Sequence, residues 1–281
     1  MNKITILLMT LFFSNALHAK KNGIGTGESQ SITSQPKQAT NYFEENKGQF
    51  VDQGQNERKD VLFGGNSEGM NFYIQNDGIS YQLKQVKTFV TKRGEKYNTS
   101  KLNQGSAEVL PGLLKSHRVD VKWVNSNKNI KVEYGTPLPG YVNYYNKQQP
   151  IHNIKQYESI TLKNVWNGVD IKYFYKDGHL ESDFVVNNPA DYKKIVLEFQ
   201  GAELQENNGT LIMKTPLGNI SEGSLKVYQG NNTLQSKWIL DHQKVSLNIE
   251  NYQINSPLTI DPPIRIWGTY YGGNGGDEYA S

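Results

Sequence analysis

From Val61 onward the apolar residues recur at every second position and not at every third or fourth. In Arg118–Trp123, Val119, Val121 and Trp123 face one way while Arg118, Asp120 and Lys122 face the other. Asn129–Tyr134 sets Ile130, Val132 and Tyr134 against Lys131 and Glu133, and Gln243–Glu250 sets Val245, Leu247 and Ile249 against Lys244, Ser246, Asn248 and Glu250. A period of two sends alternate side chains to opposite faces, so the pattern predicts half-buried antiparallel strands. Similar runs cover Gly69–Gln75, Gly78–Lys84, Val169–Tyr175, Leu180–Val186, Lys194–Phe199, Thr210–Lys214, Ser224–Tyr228 and Gln235–Leu240.

The segments between these runs are rich in residues that tolerate positive φ or pre-set a turn. They are Asn76-Asp77-Gly78, Lys176-Asp177-Gly178, Asn187-Asn188-Pro189, Asn207-Asn208-Gly209 and Gln229-Gly230-Asn231-Asn232. No amphipathic helix of twelve residues can be drawn. The predicted fold class is all-β: an antiparallel, sandwich-like domain of short strands at roughly ten-residue spacing, built as one sandwich module or two.

Two stretches break the rhythm. Lys92–His117 has no clear period and is rich in Lys, Asn, Gly and Ser, which predicts a mobile loop between an N-terminal and a C-terminal group of strands. Pro257–Pro263 carries three prolines in seven residues, which predicts an end to strand pairing and a domain boundary.

MNKITILLMTLFFSNALHA has a basic residue at Lys3, an apolar run from Ile4 to Phe13, and Ala19 before Lys20, the layout of a secretory signal peptide cleaved after Ala19. Ser14, Asn15 and His18 interrupt it too early for a membrane span, and no later run approaches spanning length. Residues 20–40 hold Ile24 and Ile32 as their only large apolar side chains and read as a flexible linker. The GIGTG within them lacks the strand and helix that a phosphate-binding fingerprint needs. The expected destination is the cell surface, the medium or the periplasm, by way of the Sec pathway.

Composition then excludes classes. The 281 residues carry 30 Lys and Arg against 27 Asp and Glu, a formal +3 that is too slight and too evenly spread for a nucleic-acid footprint. With no Cys, disulfides, thiolate metal sites, cysteine nucleophiles and lipid attachment through an N-terminal Cys are all ruled out. The 17 Tyr, 10 Phe and 4 Trp supply material for a core.

Candidate chemistry is sparse. Gly65-Asn66-Ser67-Glu68-Gly69 matches the G-x-S-x-G pattern, but a strand and not a helix is expected after it, so a hairpin turn is the better account. Glu181 and Asp183 stand two apart on one strand, so they share a face with roughly 7 Å between them. That is how a carboxylate pair could begin, and also how an ordinary solvated strand face looks. Outside the signal the histidines are His117, His152, His179 and His242, none at metal-ligand spacing. Asparagine acceptor sequons occur at Asn98, Asn208, Asn219 and Asn231. Gly272–Tyr279 fits one copy of a calcium β-roll nonapeptide, a fold that needs tandem copies. Tyr144, Tyr145, Trp166, Tyr173 and Tyr175 are candidates for stacking on sugar rings, with core packing as the commoner fate of such residues.

Four segments carry a resemblance: Phe43-Glu44-Glu45-Asn46-Lys47-Gly48-Gln49, Val165-Trp166-Asn167-Gly168-Val169-Asp170-Ile171-Lys172-Tyr173, Leu180-Glu181-Ser182-Asp183-Phe184-Val185-Val186 and Leu258-Thr259-Ile260-Asp261-Pro262. In this order they resemble the N-terminal domain of unknown function that precedes SBBP-type β-propeller repeats in exported bacterial proteins. The closing WGTYYGGNGGDEYAS is similar to the opening of a first repeat. The resemblance implies a β-rich domain over residues 41–262, an incomplete propeller repeat over 263–281, further repeats following in cis, and no established catalytic residues.

The expected function is therefore that of a non-enzymatic, exported or cell-surface module that supports or presents a propeller for surface binding or adhesion. A carbohydrate-binding or carbohydrate-active protein is the alternative. No cofactor, metal ligand or catalytic residue is assigned, the ligand residues are unknown, and the expected partners are the repeats in cis and a surface glycan or protein.

Overall fold

In the computed structural model, residues 41–67, 69–91, 109–145, 149–262 and 264–267 are described. The chain opens with β1 (Phe43–Glu45), β2 (Val61–Ser67), β3 (Met70–Gln75) and the two long strands β4 (Gly78–Thr91) and β5 (Val109–Trp123). Short strands follow: β6 (Lys131–Tyr134), β7 (Val142–Tyr144), β8 (Ile151–Ile154) and β9 (Gln156–Tyr157). Then come β10 (Ser159–Trp166), β11 (Val169–Lys176), β12 (His179–Val186) and β13 (Leu197–Gln200). Next are β14 (Glu203–Asn207), β15 (Thr210–Thr215), β16 (Gly218–Glu222), β17 (Lys226–Gln229) and β18 (Asn232–Leu234). The last are β19 (Ser236–Asp241), β20 (Lys244–Ile249), β21 (Leu258–Asp261) and β22 (Ile264–Trp267). The one helix among the described residues is a 3₁₀ turn at Pro189–Lys194, capped by the Asn188 side chain, and none is long and apolar enough to cross a membrane.

All strand pairs are antiparallel, as the alternation predicts. A nine-stranded sheet runs β19-β20-β13-β5-β4-β3-β2-β1-β9, and a seven-stranded sheet runs β18-β17-β21-β12-β11-β10-β6. A four-stranded sheet, β14-β15-β16-β22, and the pair β7-β8 complete the domain. The strand β12 shows the pattern at its clearest, with Leu180, Ser182, Phe184 and Val186 buried and the residues between them half-buried.

The inner faces meet in one hydrophobic cluster, consistent with a sandwich-like domain. Phe72, Ile74 and Val119 of the first sheet, Ile160, Leu162 and Ile171 of the second, and Leu211, Met213 and Ile220 of the third all belong to it and are fully buried. Each large apolar side chain so buried contributes about 1.5–3 kcal/mol. Aromatic rings bridge the two larger sheets, Trp123 against Trp166 at 6.5 Å and Phe43 against Tyr175 at 5.2 Å. The Trp166 indole donates to the Val124 carbonyl at 2.8 Å, so the ring's polar edge is satisfied within the core.

The hairpins follow turn chemistry. Asp177 and Gly178, at φ 53° and 87°, join β11 to β12, and Asn208 and Gly209, at 49° and 82°, join β14 to β15. Two positive φ angles in a two-residue loop match the right-handed twist of the flanking strands, which is why Asp-Gly and Asn-Gly occupy them.

Three expectations need correction. Val109–His117, read as loop, is strand: β4 and β5 pair from Gly78↔Lys122 to Thr91↔Val109, while Lys92–Glu108 lie outside the described residues. The Lys-rich composition hid a long ribbon whose register slips twice between Val86 and Phe89. The prolines at 257–263 do not end pairing, because they bracket β21, which is bonded to β12 on one side and β17 on the other. No ladder N–H is lost, since Pro257 precedes the strand and Pro262 follows it. Finally, Lys194–Val196 belong to the 3₁₀ turn and its exit, and that strand begins at Leu197. The signal segment, the linker and Gly272–Tyr279 lie outside the described residues.

Candidate functional site

Within the segment Phe43–Gln49, the residues Glu45 to Gly48 line a cleft. Phe43 is fully buried, and β1 places Glu44 beneath the surface and Glu45 at it. Almost every polar group of this segment then bonds inward. The Asn46 amide donates to the carbonyls of Arg58 and Val61, each at 2.8 Å, and its oxygen accepts from Gly48 N–H at 2.9 Å. Gln49 accepts from Lys47 N–H at 2.7 Å and donates to the Glu45 carbonyl at 2.7 Å. Gly48 sits at φ 101°, a conformation that favours glycine. Glu44 accepts from Gln49 Nε2 at 3.1 Å, from the Tyr144 hydroxyl at 2.7 Å and from Gln156 Nε2 at 3.0 Å. The sequence segment that looked like a signature is thus a rigid, self-bonded wall.

The opposite wall is β6, the edge strand of the seven-stranded sheet, and the floor is β2 with the fully packed Phe63. The volume of this open cleft is about 360 Å³. Tyr134 stands over it with half of its surface exposed. Its ring is braced by Tyr157 at 4.7 Å and Phe63 at 5.8 Å. Partial burial, the neighbouring Glu45 charge and a hydrogen bond to Glu45 all raise the Tyr134 hydroxyl above its ordinary value. Arg58 at the rim is held by Asp60 through two bonds of 2.8 and 2.6 Å, and those bonds keep the Asp60 carboxyl below its usual range. Ile130 and Val132 pack partly buried against the core, as the alternation predicts, whereas Tyr134, at the end of an edge strand with no strand beyond it, is left half-exposed over the cleft.

The residues singled out in sequence fall elsewhere. Ser67 ends β2, is 2% exposed, and accepts a hydrogen bond from Leu180 N–H at 3.0 Å, so it ties the two large sheets together and is no exposed nucleophile. The strand β3 follows it, as the hairpin reading requires. Glu181 and Asp183 do share the half-buried face of β12. The nearer neighbour of Asp183 is one the sequence did not suggest: the Phe184↔Ile260 pair brings Asp261 to the facing position. Lys172 stands opposite Asp183, and Lys226 opposite Asp261, which makes a Lys–Asp–Asp–Lys row across four strands. Burial, and then the Asp261 charge, push the Asp183 carboxyl up to about 6. The only signal for Asp261 was the LTID alternation, masked by its prolines.

The aromatic candidates separate. Trp166 and Tyr173 are core residues, 3% exposed, which corrects any role on an open sugar face. Tyr175 is half-buried, and its hydroxyl donates to the carbonyls of Tyr42 and Asn66. Tyr144 is spent on Glu44, whereas Tyr145 is 49% exposed and packs edge-on against His152. His117 lies 2.5 Å from the Gly201 carbonyl, His242 sits beside Asp241, and His179 opens β12. No group of three or more His, Asp and Glu among the described residues converges as a metal-ligand set. Asn208 and Asn231 occupy turns and Asn219 lies in β16, while Asn98 is outside the described residues.

Elsewhere, the buried Glu222 at the end of β16 faces Leu211 on one side and Ile264 on the other. Its Oε2 has no hydrogen-bond partner among the described residues. Burial, and secondarily the Glu181 charge, push its carboxyl up to about 7.

Comparison with curated proteins and with solved structures finds no match. The sequence profile of a family described as Domain of unknown function (DUF7948) matches residues 43–263, from the buried Phe43 of β1 to the end of the β21 segment. The match takes in the cleft walls, β11, β12 and β21, and so all four of the segments that carried the resemblance. With well over half of its length covered, the chain belongs to the DUF7948 family, a domain of unknown function.

Proposed function

We propose that this chain is a non-enzymatic, exported β-rich module that binds a surface through the cleft between β1 and β6 and carries whatever follows its C-terminal strand. The braced, half-exposed Tyr134 supports the binding part. An aromatic ring already fixed by its neighbours loses little conformational freedom on binding, so its contact area goes to affinity. The signal segment supports export, and the resemblance of the closing residues to a propeller repeat supports the carrier part. The four-residue strand β22 fits that part too, since it pairs with β16 as the sheet's last strand and leads directly into those residues.

The test is binding of the labelled chain, residues 20–281, to intact bacterial envelope. Saturable binding is expected, reduced about tenfold by Tyr134→Ala, a change equivalent to about 1.4 kcal/mol. The variant should stay folded while its Tm falls by several degrees as the two ring contacts are lost. Turnover of a panel of glycosides, esters or peptides that disappears with Glu181→Gln or Ser67→Ala would overturn the reading.

A further inference from the structure

With Asp60, the partner of Arg58, counted beside the lining residues, the charges around the cleft cancel, and most are already engaged. Lys47 lies 3.7 Å from Glu45 and donates to the Asn153 carbonyl. Arg58 is bound to Asp60, and the amide of Asn46 is used internally at both ends. That leaves Glu57 and Lys59 at the rim, one of each sign, with no side-chain hydrogen bond or ion pair among the described residues. A cleft lined this way has no net field to draw in a charged ligand. It offers an aromatic face, one strong acceptor and one strong donor.

We propose that the cleft takes a neutral, hydroxyl-rich sugar, stacked on the Tyr134 ring with its hydroxyls on Glu57 and Lys59. The inference rests on the reading of the cleft as the binding surface. A pyranose presents an apolar C–H face beside a rim of hydroxyls, and that pairing matches a ring bordered by a carboxylate and an ammonium group. The volume of about 360 Å³ is at the small end for ligand sites, which suits one or two sugar units and not a folded partner. Phe63 and Tyr157 hold the ring in place before the sugar arrives.

The experiment titrates residues 20–281 with cellotriose, maltotriose and xylotriose, with trigalacturonate and a mixed-sequence decapeptide as comparators, followed by calorimetry and by NMR line positions. At least one neutral sugar should bind. Tyr134→Ala should weaken it about tenfold and Glu57→Gln several-fold. Glu57 is exposed, so its variant folds even if Tyr134→Ala does not. Preference for trigalacturonate or the peptide, or indifference to Tyr134→Ala and Glu57→Gln, would overturn the proposal. Silence of all the neutral sugars, while Tyr134→Ala still weakens envelope binding, would remove the sugar and leave the surface. Envelope binding that ignores Tyr134→Ala would remove both.

Discussion

Glu44 and Glu222 are both buried glutamates, 4% and 6% exposed, and the protein treats them in opposite ways. Glu44 is met by three donors from β7, β9 and the Gln49 loop, so what it loses in hydration is returned by hydrogen bonds. Glu222 has an oxygen with no partner among the described residues, and it lies close enough to Tyr81 and Tyr173 for its charge to raise both hydroxyls. Its proton is therefore held to about pH 7. Burial alone does not decide whether a buried acid is satisfied; the supply of donors does. In one place the fold has built an anchor and in the other a group that titrates within the physiological range.

The larger effect is expected at the anchor. Glu44→Ala leaves two side-chain amides and a tyrosine hydroxyl without their acceptor, and a loss of about 4 kcal/mol is expected. Guanidinium unfolding followed by tryptophan fluorescence measures it, and a loss below about 1 kcal/mol would show that water replaces the carboxylate there.

Glu222 gives the next effect. Its folded-state carboxyl holds a proton more tightly than the unfolded value of 4.5 allows. Its contribution is therefore fully present below about pH 4.5 and is lost as the pH rises to about 7, about 3 kcal/mol in all. Glu222→Gln should remove that decline from a series of melts across this range. Asp183→Asn should remove a smaller part, ending near pH 6, because solvent screens that half-buried site. An unchanged slope in Glu222→Gln would mean that the carboxyl finds a partner.

Two smaller changes sharpen the view of the hairpin that once resembled a nucleophile turn. A methyl group at Gly65 would run into the Phe72 ring and lie 2.6 Å from the Tyr42 carbonyl, so Gly65→Ala is expected to cost about 2 kcal/mol through displacement of the ring. Ser67→Ala removes one acceptor from Leu180 N–H and should cost about 1 kcal/mol. Denaturant midpoints rank them, and the reverse order would place the strain in the hydrogen bond and not in the packing.

Much of the fold was legible locally. Strand alternation marked β12 and β20 almost residue by residue, and Asp-Gly and Asn-Gly marked hairpins, because both signals are written within two to eight neighbouring residues. The cleft was not legible in that way. Phe43–Gln49 has no period, since its polar side chains are spent on residues as distant as Arg58, Tyr144 and Gln156.

Sequence by itself settled that this is an antiparallel all-β protein, which residues turn and, in the central strands, which face inward. Tertiary structure alone decided that β6 would be an edge, which left Tyr134 half-exposed, and that Asp183 would face Asp261 across a strand pair. It also left Glu222 without the donors that Glu44 receives. The physical reason is one of range: periodicity and turn chemistry are properties of adjacent residues, whereas edge position and the neighbours of a charge depend on which distant strands come to lie side by side.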